Sequence, residues 1–211
     1  MNNLNKTKNR GFTIIETMIS ISLFLIVITV GMGSLLNANL VHRKSTDMRS
    51  IMDGLSFILE DMSRNMRTGY DFQCFNEGET IKVGSPKSCE SGSIIVFEPA
   101  DGNPDSADDQ WVYVFSKENG KGIISKSTKG PNDNQNFVQL TTSDIDININ
   151  RSGFSVLGAE SPDNGDEQQP LINIRISGSI NLPNGESTPF NLSTSVSQRK
   201  IDASVPPTEP I

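Results

Sequence analysis

The chain of 211 residues has one histidine, His42, held in the basic stretch His42-Arg43-Lys44. With no other imidazole available, a Ser-His-Asp or Cys-His nucleophilic centre is excluded from the rest of the molecule. Cysteine is almost as scarce. Cys74 and Cys89 have no histidine near them and cannot complete a tetrahedral zinc shell. Internal repeats and coiled-coil heptads are missing, which removes solenoids and long zippers. Acidic residues are absent from the first 15 positions, and apolar runs are absent everywhere but one place. With 35% hydrophobic residues, 6% aromatics and a formal charge of −7, the bulk has the composition of an acidic soluble domain rather than a multi-span membrane protein. None of the 25 acids forms a pair with a catalytic motif around it, so no enzyme is expected.

The one apolar run is "TMISISLFLIVITVGMGSLLNANLV", Thr17 to Val41, with 25 residues and no charge. At the α-helical rise it makes roughly 37 Å, enough to cross a bilayer's hydrocarbon core once. A secretory signal would be followed by an A-x-A-like cleavage site; here "NLVHRKSTD" follows, so the run is expected to be retained. The preceding "MNNLNKTKNRG" carries Lys6, Lys8 and Arg10, which favours a cytoplasmic N-terminus, although His42-Arg43-Lys44 on the far flank reduces the asymmetry. At the start of the run stands the lone carboxylate of Glu16. By itself it reads as an acid in the first turn of a helix, where the macrodipole favours negative charge.

"RGFTIIETMISISLFLIVITVGM" resembles the N-terminal signal of type IV pilins and pseudopilins: a short basic leader ending in Gly, then Phe, then an apolar helix with Glu at the fifth mature position. The resemblance covers about residues 6 to 40. It implies cleavage between Gly11 and Phe12 by a prepilin peptidase on the cytoplasmic side, methylation of the new α-amine, and a membrane anchor later extracted into a filament. It also gives Glu16 an assembly role. The α-amine of Phe12 would lie about one helical turn from Glu16, and the carboxylate of one subunit would meet the amine of the next. In a dry helix bundle an unpaired charge of either sign is costly, so registry between subunits follows. Loss of the leader leaves 15 basic against 25 acidic residues, a charge of −10 that opposes tight sequence-independent binding to nucleic acid.

Beyond the anchor, Met48, Ile51, Met52, Leu55, Leu59, Met62 and Met66 recur at spacings of three and four, so the helix is expected to continue as an amphipathic one to Thr68, with Gly69 as its stop. Gly31 and Gly33 stand where pilus subunits often have a proline, and could allow a bend. The remainder reads as β. "SIIVFEP" (93–99), "WVYVFS" (111–116), "GIISKS" (122–127) and the strictly alternating "DIDININ" (144–150) are expected strands, with a hairpin turn at Asn119-Gly120. "PLINIRISGSI" and "STPFNLSTSVS" flank Asn184-Gly185 as a final antiparallel pair. The expected class is α+β: a long N-terminal helix packed on a mostly antiparallel sheet. Its segments are a leader (1–11), a transmembrane and filament-core helix (12–41), its amphipathic continuation (42–69), a β-rich domain (70–200) and a disordered proline-rich tail (201–211).

On the topology that the resemblance implies, Cys74 and Cys89 lie outside the cytoplasm, where a disulfide is the leading reading; in a reduced compartment they would be free thiols. "DGNPDSADDQ" gathers Asp101, Asn103, Asp105, Asp108 and Asp109, but Ser106 and Val112 stand where a calcium loop of the EF-hand type needs Gly and Glu. A solvated acidic turn is preferred over calcium, and no other cofactor is expected. The expected partners are other pilin or pseudopilin subunits, the prepilin peptidase, a membrane assembly platform and lipid. Within the family, "MRSIMDGLSFILEDMSRNMRTG" and "FNLSTSVSQRKI" resemble minor subunits of the J-type pseudopilin or W-type minor pilin kind. The competing function is a single-span anchored binding or adhesive module that never polymerises, which would need neither Gly11-Phe12 nor Glu16.

Overall fold

The computed structural model describes residues 11–79, 82, 84–160, 166, 168–182 and 185–199. The leader to residue 10, the tail 201–211 and most of the loop 161–167 lie outside the described residues, as does Asn184 of the final hairpin. The chain divides into two compact units, Met1–Asp47 and Met48–Ile211. Helix α1 (Ile14–Thr68) has 55 residues and contributes to both.

In the first unit every described residue belongs to α1 or to the three residues before it, and all are exposed. The helix is uninterrupted at Gly31 and Gly33. Its hydroxyls turn inward on their own backbone. Ser20 and Ser22 donate to the carbonyls of Glu16 and Met18, both at 2.8 Å, and Thr29 donates to that of Leu25 at 2.7 Å. A hydroxyl satisfied in this way takes no free donor into a hydrocarbon environment.

In the second unit the same helix turns amphipathic. Leu55, Ile58, Met62 and Met66 are buried, with Met48, Ile51, Met52 and Leu59 packed against them. Each full burial of such a side chain contributes about 2 kcal/mol. Two antiparallel sheets receive this face. The first runs in the order β1 (Tyr70–Phe75), β3 (Ile94–Glu98), β4 (Trp111–Glu118), β5 (Lys121–Ser127) and β6 (Val138–Gln139). In the second, β10 (Ser187–Ser197), β9 (Leu171–Asn181), β8 (Gly153–Leu157) and β2 (Cys89–Gly92) lie side by side, and β7 (Ile145–Ile147) also pairs with β9. One core joins helix and sheets. Phe72, Phe97, Tyr113 and Phe115 come from the first sheet, and Phe154, Ile172, Ile174 and Ile176 from the second. The Phe115 and Phe154 rings meet across the two sheets at 4.9 Å between centroids.

Cys74 in β1 and Cys89 in β2 form the disulfide, tying one sheet to the other across a sequence separation of 15. In the chain-entropy account a loop of this size stabilises the fold by about 3 kcal/mol. A second tie is polar. The Asp61 carboxylate on α1 accepts from the Tyr113 hydroxyl at 2.8 Å, the Lys126 ammonium at 2.9 Å and the Asn65 amide at 2.9 Å, while Lys126 lies 4.4 Å from the centre of the Trp111 ring. Helix, β4 and β5 are thereby held in one register.

One strand expectation needs correction. "DIDININ" keeps only Ile145–Ile147 as strand, because the backbone turns at Asn148, whose carbonyl takes the N–H groups of Arg151 and Ser152 at 3.0 and 2.9 Å. Asparagine favours such turns, and here that preference wins over the apolar alternation. Strands β1, β2, β6 and β8 add to those that the sequence pattern predicts. In β1 the cause of the weak pattern is visible: Asp71 at φ 53° and a register shift between Tyr70 and Gln73 break up the alternation that marks a strand. The Asn119-Gly120 hairpin forms as expected, both residues taking the positive φ that joins β4 to β5 (51° and 82°).

Candidate processing and assembly site

The first turn of α1 is built by its own sequence. Thr13 stands just before the helix, and its Oγ1 accepts the N–H of Glu16 at 3.3 Å, while its carbonyl takes the N–H of Thr17 at 3.2 Å. Thr13-Ile14-Ile15-Glu16 thus has the spacing of a capping box, with threonine supplying the cap. The consequence falls on Glu16. Its backbone N–H serves the cap, but among the described residues its carboxylate has no hydrogen-bond or ion-pair partner and is exposed. The capping duty of this turn therefore does not require the carboxylate.

Gly11 has no structural duty either. A Cβ built there would meet nothing within 4 Å, so the fold itself does not require glycine at 11. Phe12 is 82% exposed, and the apolar side chains from Ile14 to Val41 share its exposure. The site so described is an open Gly-Phe peptide bond, a capped helix start, an unengaged carboxylate one turn in, and an apolar surface.

The description "Prokaryotic N-terminal methylation motif" matches residues 6–32. This N-terminus is type IV pilin-like. No curated protein and no solved structure matches the chain. The match covers the N-terminal segment; it supports processing by a prepilin peptidase and implies contact with that enzyme and with other pilin subunits. By length and composition, α1 also contains a segment able to cross a membrane, with a mean hydropathy of 2.4, which fits a single-pass anchor.

The remaining sequence candidates behave differently from one another. Cys74 and Cys89 come together. Of Asp101, Asn103, Asp105 and Asp109, the side chains of Asn103 and Asp109 are engaged inside their own loop. The Asn103 N–H donates to Asp109 Oδ2 at 2.7 Å and the Asp105 N–H to Asn103 Oδ1 at 3.1 Å, while that of Asp108 donates to Ser106 Oγ at 3.2 Å. Side chains at these positions stabilise turns in this manner. Among the described residues no group of three or more His, Cys, Asp or Glu is placed to hold a metal ion.

Two sites lie outside the residues that the sequence pattern singles out. One is the Asp61 tie; its signal was an acid next to Met62 on the apolar edge of an amphipathic helix. The other lies beside the end of α1, where Arg64, Arg67 and Arg199 gather across 135 residues of sequence. Nothing local predicts that meeting.

Proposed function

We propose that the protein is a minor subunit of a type IV pilus-like or type II secretion-like filament, of the J-type pseudopilin or W-type minor pilin kind. A prepilin peptidase cuts between Gly11 and Phe12 and methylates the new amine. Residues 12–41 then anchor the chain in the cytoplasmic membrane with the N-terminus inside and the 70–200 domain outside, until an assembly platform draws it into a periplasmic or surface filament. The observation that carries this reading is the methylation motif in register with an exposed apolar helix and the unengaged carboxylate of Glu16. Glu16 pairs with the α-amine of a neighbouring subunit, since a charge buried in a helix bundle is stable only when paired.

Mass spectrometry of the protein extracted from membranes tests the first step. The expected chain begins at Phe12 and carries a methylated amine. An intact Met1 terminus in cells that contain the peptidase would refute processing, and absence of the protein from sheared filaments would favour the anchored, non-polymerising module.

A further inference from the structure

Strand β10 ends the order of the second sheet: it pairs with β9 along Ser187–Ser197, and no described strand lies on its other side. Beside it runs a groove of about 940 Å³ lined by Glu60, Arg64 and Arg67 of α1 and by Thr194 to Ser197 and Arg199. The faces of a strand show every second residue, so four consecutive residues lining one groove mean that it meets the strand at its edge. Half of the N–H and C=O groups along an outer edge point away from the sheet and need a partner or water. Pro189, which has no N–H to give to a ladder, is at home in such an edge strand.

Charge sets this groove apart. Three arginines stand against one glutamate, a surplus of two positive charges in a chain whose formal charge is −7. Arg64 pairs with Glu60 at 3.1 Å on the exposed helix surface, a contact of small value. Arg67 and Arg199 are exposed and have no carboxylate partner among the described residues, although their backbones are joined by the Arg199 N–H donating to the Arg67 carbonyl at 2.8 Å. A free strand edge offers main-chain bonds to anything extended, and guanidinium groups alongside select for carboxylates with two parallel donors.

We propose that the groove between α1 and β10 binds an extended, acidic polypeptide segment of a partner protein, which adds to the outer edge of β10 and sets its carboxylates against Arg64, Arg67 and Arg199. The edge at Thr194–Ser197 spans roughly 13 Å, the length of a four-residue strand. The site is separate from Gly11, Phe12 and Glu16, so it stands or falls independently of processing and filament entry.

The test uses the full processed chain in detergent and a fluorescent eight-residue peptide of alternating Thr and Glu, read by anisotropy. The Glu peptide is expected to bind, a Thr-Lys counterpart is not, and Arg67→Glu and Arg199→Glu are each expected to weaken binding by about tenfold or more, with Arg67→Lys closer to the parent. Methylating alternate backbone nitrogens of the Glu peptide should abolish binding, because strand addition uses those groups. Equal binding of the Lys peptide, unchanged binding by the methylated one, or parental affinity in both Arg→Glu variants would overturn the proposal. So would displacement by equimolar inorganic phosphate, which would make this a free-anion site. Self-association of the parent that Arg67→Glu abolishes would make a second copy the occupant, and binding seen only after removal of residues 201–211 would make that segment the occupant; either result overturns the proposal as stated.

Discussion

Asp61 and Glu98 are both carboxylates among apolar groups, and their surroundings push them in opposite directions. Burial opposes the charge of Asp61, but hydrogen bonds from Lys126, Tyr113 and Asn65, with the attraction of Lys126, outweigh it and hold the carboxyl below its usual 3.8. Its folded pKa lies below the unfolded one, so its contribution is complete above the ordinary carboxylate range and is lost as pH falls through the folded value. Asp61→Asn is expected to cost about 1.5 kcal/mol at neutral pH, with the gap to the parent closing below pH 3.8. Glu98 is 1% exposed; burial raises its pKa above 4.5, the negative charges of Asp109 and Asp71 add to this, and a 2.7 Å hydrogen bond from Gln110 opposes it. Its other oxygen, Oε2, is buried without a hydrogen bond. Here the sign reverses: ionisation costs the fold nothing below 4.5 and its full amount above the raised folded pKa. Glu98→Gln should therefore raise stability at neutral pH by about 1 kcal/mol and leave it flat where the parent declines with rising pH. Denaturant titrations of parent and variants across pH check both outcomes, and a parental pH profile in Glu98→Gln would contradict the second.

At the level of elements, the two sheets meet where β5 passes β7. The Gly122 N–H donates to Asp146 Oδ1 at 2.9 Å, and a Cβ built on Gly122 would stand 1.8 Å from the Ile147 carbonyl oxygen. Two backbones approach too closely there for any side chain. Gly122→Ala should force β5 and β7 apart at a cost of about 2 kcal/mol or more, measured by thermal denaturation, while an unchanged melting point would mean that the junction yields freely. This contact also shows why some elements could be read in advance and others not. The α1 stripe, the β4–β5 hairpin and the β9–β10 pair are local patterns of period 3.6 or 2 with their turn residues in place, and they were legible. The split into two sheets is set by contacts between residues far apart in sequence: Cys74 with Cys89, Phe115 with Phe154, Gly122 with Ile147. Short strands such as β2 and β6 take their conformation from the neighbours they pair with, and their own residues carry little signal. The candidate sites divide in the same way. Gly11, Phe12 and Glu16 sit within the one contiguous stretch that the methylation motif matches, whereas the arginine groove requires α1 and β10 to be brought together.

For the whole molecule the decisive substitution is Glu16→Ala. Membrane insertion should persist, because removing a charge at the start of an apolar helix eases its transfer into lipid. The helix start should persist too. Thr13 caps it through the backbone N–H of residue 16, which alanine retains. Cleavage after Gly11 is expected to be unchanged, since the basic leader and the Gly11-Phe12 bond are intact. What should be lost is entry into the filament, where the α-amine of a neighbouring subunit would be buried with no carboxylate to meet it. For a minor subunit the loss would show as failed filament initiation rather than as thinner bulk filament. The measurement compares parent and variant in membrane and sheared-filament fractions. Recovery of the variant from membranes, cleaved and folded but missing from filaments, isolates the carboxylate as an assembly group. Equal recovery of both from filaments would remove that role and leave Glu16 as an acid that merely favours the positive end of the helix dipole.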